Sequence, residues 1–297
     1  MVEATFDRSG VAGADAKEAT APAQQAKSTR RRRRGPGRMA TLLVLAMIAL
    51  GVGLRAVNPD WIETLRVRTF DIYQQVLPRP VGQYPVAIID LDEKSLAEVG
   101  QWPWPRTTVA QLIEKLGAAG VAVVGFDIVY AEPDRMSPAL FAQSLPNADP
   151  AMVESLRQLP SNETVMADAM KRTPVVVGQA AIRSPLPAGK DATKAQSSVK
   201  GQLGGDPIPS LDRFAAILPN VPELEAAAAG HGNFAIGDEV DGLIRRVPLI
   251  VAVGEKDVRP ALSLEMLRVA FRGRTVVTKR NEAGMESVIL QTPGGTF

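Results

Sequence analysis

An uncharged apolar run of sixteen residues, from Met39 to Leu54, restricts what this chain can fold into more than any other feature. Five consecutive arginines lie shortly before it. A helix needs roughly 20 apolar residues to cross a bilayer, and the run extends to Val57 if Arg55 reaches the lipid head groups. A buried helix of a soluble protein would carry a polar stripe, which this run lacks. We interpret residues 39–57 as a transmembrane signal-anchor helix.

A cleaved signal peptide is the main alternative, because it has the same order of basic and apolar residues. Its cleavage site needs small residues, and although Gly51 and Gly53 qualify, the residues after them fit poorly. Basic residues beside a first span remain in the cytoplasm. We therefore expect residues 1–38 to form a disordered, basic, cytoplasmic tail and residues 58–297 to form one domain across the membrane.

The composition excludes several classes of site. The chain has no cysteine, so it forms neither a disulfide framework nor a thiolate zinc site. Residues 1–38 hold nine Lys/Arg and four Asp/Glu, a charge balance of +5. The remaining residues hold 25 Lys/Arg and 28 Asp/Glu, a charge balance of −3. A mildly acidic body argues against nucleic acid as a partner, and the arginine cluster is expected to contact anionic lipids.

The pattern of residues 58–297 predicts an α/β domain. Apolar residues at helical spacing indicate a juxtamembrane helix over 60–76. A strand over 86–91, an amphipathic helix over 107–116 and a strand over 121–130 form a predicted crossover unit, in which the two strands are parallel. We therefore expect a mostly parallel sheet with flanking helices.

The second half of the chain is expected to add helices, a strand, a surface loop and antiparallel hairpins. In chain order these are a helix over 152–170 interrupted by Pro160, a strand over 175–177, a loop over 183–209, a hairpin of 234–236 with 243–253, a helix from Pro260 to Gly273, and a hairpin of 275–277 with 288–291. The turn-like ending offers nothing to cap a sheet, so we expect the domain to continue beyond Phe297.

Carboxylates cluster after the first two predicted strands. Asp90 and Asp92 lie at the end of one strand, and Asp127 and Asp134 lie at the end of the other. Ligands of open parallel sheets bind beyond the carboxyl ends of the strands, so these groups are expected to converge on one crevice. Carboxylates can hold Mg²⁺ or Ca²⁺, but Asp also ends strands and caps helices, and no calcium-loop pattern is present. We predict no metal site.

Two of the three tryptophans lie in the five-residue sequence Trp102-Pro-Trp-Pro-Arg106. Because proline restricts the backbone, the rings are expected to have fixed directions. They could hold a ligand together with the guanidinium, or close one end of the sheet, with Arg106 paired to Asp90 or Asp127. The predicted ligand-binding residues are Asp90, Asp92, Trp104, Arg106, Asp127 and Asp134.

No catalytic residue is predicted within this chain. His231 is the only histidine, and one histidine neither builds a zinc site nor acts well without a neighbouring nucleophile. Ser95 and Ser210 lack the strand–turn–helix context of a hydrolase nucleophile. The glycines near position 204 follow no phosphate-loop pattern. We accordingly expect no cofactor in the chain.

A series of short motifs runs through the chain. In order they are Phe70-Asp71, Ile89-Asp-Leu-Asp-Glu-Lys-Ser-Leu96, Gly100-Gln-Trp-Pro-Trp-Pro-Arg106, Ala119-Gly-Val121 through Phe126-Asp127, Gly232-Asn-Phe234, Asp241-Gly-Leu-Ile-Arg-Arg246 and Leu262-Ser-Leu-Glu265. Together they cover about residues 58–297 and resemble the second family of CHASE domains, the cyclase/histidine-kinase-associated sensing extracellular domains. The tryptophan-proline block is the most specific of these motifs.

The resemblance implies a bacterial receptor of the inner membrane, with its sensor in the periplasm and further spans before a cytoplasmic output domain. It most often implies a nucleotide cyclase, here a class III adenylate cyclase that makes cyclic AMP and uses Mg²⁺ in that output domain. A histidine kinase, a serine/threonine kinase or a diguanylate cyclase are alternative outputs. We expect a homodimer that responds to an unknown ligand or protein.

Two functions of other classes are alternatives to the receptor. The first is a periplasmic metal-dependent hydrolase that uses Asp90, Asp92 and Asp127 with Mg²⁺. The second is an interaction module of a membrane complex, in which the span and the tryptophan block bind another protein.

Overall fold

A computed structural model describes residues 37–80, 82, 85–186, 196–237 and 241–296. The predicted disordered tail lies almost wholly outside these residues. The chain divides into two compact units, of which the first ends at Ile62 and the second begins at Glu63.

The first unit contains α1 (Arg38–Val57), a helix of 20 residues with a mean hydropathy of 2.2. None of its side chains is buried by the residues that the structure describes. Asn58 ends the helix in the left-handed conformation, with its N–H bonded to the carbonyl of Leu54. By length and composition α1 could cross a membrane, although a signal sequence would have the same properties.

The remaining elements alternate between helices and short strands. The helices are α2 (Asp60–Val76), α3 (Glu93–Val99), α4 (Arg106–Ala118), α5 (Pro138–Ser144), α6 (Pro150–Arg157), α7 (Asn162–Arg172), α8 (Pro222–Ala227) and α9 (Leu262–Ala270). The strands are β1 (Val124–Phe126), β2 (Val175–Ile182), β3 (Val199–Leu203), β4 (Arg213–Phe214), β5 (Ala216–Leu218), β6 (Gly230–Asn233), β7 (Ile250–Val253), β8 (Asp257–Pro260), β9 (Thr275–Asn281), β10 (Gly284–Thr292) and β11 (Gly295–Thr296).

The central sheet is built on β2, which pairs in parallel with β1 and β6 and in antiparallel with β5. Val175 and Val177 point to one face and pack with buried residues of α4, α7 and α8. Gly125 and Gly230 are in register with Val176 and so lie on the other face. A Cβ atom at either glycine would collide with a side chain of α9, so α9 covers that face closely. The sheet is therefore buried between helices, as an α/β fold requires.

Two smaller sheets complete the domain. One has the order β11-β10-β9-β3, and the other has the order β4-β7-β8. Buried residues of β7, β8, β9 and β10 share one apolar cluster with Leu264 of α9. The fold is thus the predicted mixture of helices with parallel and antiparallel strands.

Several predicted elements are confirmed. α2 is the predicted juxtamembrane helix, α4 covers the predicted amphipathic segment, and β9 with β10 forms the predicted hairpin. Pro160 separates α6 from α7, as its interruption of the helical pattern indicated. The loop expected over 183–209 lies partly outside the described residues, and its described end contains β3.

The strand predicted over 86–91 is wrong. These residues join no ladder, and Ile88 is 91% exposed. The parallel crossover with the strand over 121–130, of which only β1 is a strand, is therefore absent from the described residues. An apolar β-branched run indicates a strand only where a partner edge takes up its hydrogen bonds.

The hairpin predicted between 234–236 and 243–253 is also wrong. β7 pairs instead with β8, through a tight turn in which Gly254 has φ +60°. A glycine adopts this left-handed conformation without strain, and the short loop favours the adjacent strand as partner.

Candidate functional site

Two neighbouring crevices share Trp102 at one end of the second unit. One, of about 490 Å³, is lined by Trp104, Arg106 and Asp134, together with Glu132 and Arg135. The other, of about 520 Å³, is mostly apolar, and its lining includes Asp127 and Phe234. The peptide bond between Trp102 and Pro103 is cis. Three of the six predicted ligand-binding residues therefore meet at the first crevice, which we call the arginine crevice.

The carboxylate of Asp134 is a hydrogen-bond acceptor for several groups beneath the arginine crevice. It accepts hydrogen bonds from the backbone N–H of Arg106 at 2.7 Å, from the backbone N–H of Met136 at 2.8 Å and from Nδ2 of Asn162 at 2.9 Å. It thereby connects the first turns of α4 and α7. Burial raises the pKa of Asp134, but these hydrogen bonds favour the charged form and hold the pKa below its ordinary value of 3.8.

A second buried carboxylate, that of Glu163, completes this network. One of its oxygens accepts the backbone N–H of Asp134, and the other accepts the hydroxyl of Ser137 at 2.8 Å. The same hydroxyl oxygen accepts the backbone N–H of Asn162 at 3.0 Å. Most of the acceptor capacity of Asp134 and Glu163 is thus used within the fold. Ligand binding by Asp134 stays a prediction.

Arg106 lies beneath the arginine crevice and is only 9% exposed. Its Cζ atom stands 4.3 Å from the centre of the Tyr130 ring, and Nη2 donates to the carbonyl of Glu132 at 3.4 Å. Among the described residues Nε has no acceptor, and neither does the buried Tyr130 hydroxyl, whose pKa burial raises. The predicted ion pair of Arg106 with Asp90 or Asp127 is absent from the described residues.

The other predicted carboxylates do not converge on this crevice. Asp92 caps α3, since its side chain accepts the N–H and the hydroxyl of Ser95 at 2.8 Å and 2.6 Å. These bonds lower the pKa of Asp92. Asp90 is exposed on the unpaired segment, and exposed Asp127 lines the apolar crevice. In the described part of the chain, no three His, Asp or Glu side chains are grouped so that they could hold a metal ion.

His231 lies in the protein core. Its Nε2 is 2.9 Å from the carbonyl oxygen of Glu225 and 3.1 Å from the carboxylate of the same residue. That carboxylate also accepts from Gln179 at 3.2 Å and from the backbone N–H of Asn220 at 2.9 Å. The only histidine of the sequence therefore belongs to a buried polar cluster, in which its Nε2 lies within hydrogen-bond distance of Glu225.

A bridge between α2 and a distant loop was missed by sequence reasoning. Arg245 donates to both oxygens of Asp71, at 2.8 Å and 2.7 Å, although the two residues are 174 positions apart. It also donates to both oxygens of Asp241 at 2.7 Å. These charged hydrogen bonds lower the pKa of Asp71 and of Asp241 and raise the pKa of Arg245.

We call this arrangement the Arg245 clamp. The Arg245 side chain is only 7% exposed, and the clamp fixes α2 to the loop that leads into β7. Asp71 and Arg245 both belong to motifs that carry the family resemblance, so the motifs were the available signal. Spacing in the sequence could not show that the two motifs meet.

The family model of the CHASE2 domain matches residues 40–295. No curated protein and no solved structure matches the chain. The match begins within α1 and includes the tryptophan-proline block, Asp71 and Arg245. The chain belongs to the CHASE2 domain family, whose members are extracellular sensory domains of signalling receptors.

Proposed function

We propose that this chain is the periplasmic sensory region of a receptor in the bacterial inner membrane, and that it regulates a cytoplasmic class III adenylate cyclase. In this proposal α1 is the signal anchor, and residues 1–38 remain in the cytoplasm with the arginine cluster against anionic lipid. Mg²⁺ would belong to the output domain, because cyclase chemistry requires a divalent cation to neutralise the phosphates. The receptor works as a homodimer.

The Arg245 clamp is the observation that carries the proposal. α2 begins three positions after the end of α1, so any displacement of α2 acts directly on the segment that enters the candidate span. The clamp connects α2 to the loop before β7. β7 in turn belongs to a hydrophobic cluster of the folded domain, which we call the body. A change in the body can therefore bias the position of α2 without unfolding either element.

The arginine crevice is the proposed ligand site. Arg106 Nε–H is a buried donor without an acceptor among the described residues, and such a group is costly unless a ligand satisfies it. Exposed Arg135 adds a second cation, and Trp102 and Trp104 add flat apolar surfaces. The carboxylates of Glu132 and Asp134 also line the crevice, so the lining favours a small molecule that combines a carboxylate or phosphate group with hydrogen-bond donors. Trp104, Arg106 and Asp134 form this site, whereas Asp90, Asp92 and Asp127 lie outside it.

The topology can be tested with reporter fusions. Alkaline phosphatase fused after residue 296 should be active, because this reporter folds only in the periplasm, and a fluorescent protein fused before residue 1 should remain fluorescent in the cytoplasm. The reverse pattern, or recovery of the chain in the cytosol, would contradict the proposed receptor topology. Cyclic AMP in cells that lack their own cyclase then distinguishes an adenylate cyclase from a kinase or diguanylate cyclase output.

The ligand site can be tested with Arg135→Ala in the intact gene product. Because Arg135 is exposed and lines the crevice, its loss should shift cyclic AMP output by about fivefold while leaving the fold intact. Arg157→Ala is the matched control, since Arg157 is an exposed arginine on α6 outside the crevice. Equal output from both variants would count against the arginine crevice as the regulatory site.

A further inference from the structure

One face of α2 has an apolar repeat that the described residues leave uncovered. Leu65, Thr69, Ile72 and Val76 follow one another at spacings of four, three and four residues. Leu65, Ile72 and Val76 are 61%, 58% and 68% exposed. The hydroxyl of Thr69 donates to the carbonyl of Leu65 at 2.7 Å, so this residue presents its methyl group without an unsatisfied donor. We call these four residues the seam.

The opposite face of α2 belongs to the domain. Val67 is 3% exposed, and Asp71 is held by Arg245. At 100° per residue these side chains lie roughly 130° to 190° from the centre of the seam. The clamp therefore orients α2 so that the seam faces away from the body. A partner that covers the seam must approach α2 from that outer side.

We propose that the seam is the self-association surface of the receptor, where α2 of two copies forms a parallel, in-register coiled coil. Spacings of three and four place these residues at alternating core positions of a heptad. In such a pair each Arg68 faces Tyr73 of the other copy across the core, and each Trp61 faces Arg66. Both contacts set a cation against an aromatic ring, and neither brings like charges together.

The proposal rests on the membrane anchoring proposed above. A helix of 17 residues is too short to form a stable coiled coil by itself. Two copies anchored by α1 carry α2 with the same polarity and at a high effective concentration, which offsets the entropy of association. We therefore expect association of the anchored chain and little association in dilute solution.

Single-cysteine cross-linking in membranes tests the proposal cleanly, because the chain contains no cysteine. Leu65→Cys and Ile72→Cys lie at core positions, where Cα atoms of the two copies are roughly 4–6 Å apart, within reach of a disulfide. Gln74→Cys is the matched control: it is exposed on the same helix but points away from the seam, so its Cα atoms are roughly 14 Å apart.

We expect Leu65→Cys and Ile72→Cys to give on the order of tenfold more disulfide-linked dimer than Gln74→Cys. Adding Ile72→Asp to Leu65→Cys should remove the dimer, because it places two carboxylates in an apolar core. Equal cross-linking at all three positions, cross-linking only to other proteins, or none would overturn the proposal. Periplasmic phosphatase activity without seam cross-linking would reject the seam alone and leave the sensory function standing.

Discussion

Asp134→Ala should lower the free energy of unfolding by about 3 kcal/mol, because it leaves three hydrogen-bond donors without the acceptor that the carboxylate provides. The backbone N–H groups of Arg106 and Met136 and the amide of Asn162 would lose their acceptor. For a domain of this size the melting temperature should fall by roughly 6–12 °C. Thermal unfolding of the detergent-solubilised chain, followed by tryptophan fluorescence, measures the change.

Asp127→Ala is the control for this variant. Asp127 is an exposed aspartate beside the neighbouring crevice, so its removal should change the free energy of unfolding by no more than about 0.5 kcal/mol. If the two variants were equally stable, the carboxylate of Asp134 would not be fastening the two helices. It would then be available to a ligand.

The effect of Asp134→Ala should depend on pH. Folding lowers the pKa of Asp134, so the unfolded chain binds the proton more readily, and the charged carboxylate stabilises the folded state above the ordinary pKa of 3.8. This contribution disappears as the pH falls through the lower, folded-state pKa. The difference in stability between wild type and variant should therefore be constant near neutral pH and shrink below 3.8. A difference that grew on acidification would contradict the assigned direction.

Local patterns predicted the elements whose contacts lie close in the chain. The α4 helix and the β9–β10 hairpin follow from the spacing of apolar residues and from turn residues between them. Strand pairing over long distances did not follow. The run over 86–91 has strand-like composition, but composition does not tell which edge is free to pair with it.

In the candidate site, too, the sequence indicated local features but not long-range contacts. The tryptophan-proline block and the carboxylates after the strands indicated the region, and Trp104, Arg106 and Asp134 do meet there. Asp92 instead caps α3, the competing role that sequence reasoning had already named. The Arg245 clamp joins two motifs through one side-chain contact, which neither periodicity nor spacing encodes.

Arg245→Ala should disconnect the sensory body from α2. Arg245 provides the charged hydrogen bonds to Asp71, so without it α2 loses a fixed attachment on the side that faces the body. We expect backbone amides over 66–76 to exchange hydrogen on the order of tenfold faster, as measured by mass spectrometry on the detergent-solubilised chain. Arg246→Ala is the matched control, because Arg246 is the adjacent, exposed arginine.

The clamp also makes a sharper prediction about signalling, which a double-mutant cycle tests. If the arginine crevice acts on the output through α2, Arg135→Ala should no longer change cyclic AMP in the Arg245→Ala background. In the Arg246→Ala background, Arg135→Ala should still change cyclic AMP by roughly fivefold. Independent effects of Arg135 and Arg245 would mean that the crevice reaches the output by another route. The clamp would then only stabilise the fold, because coupling between two sites requires that the change at one depends on the other.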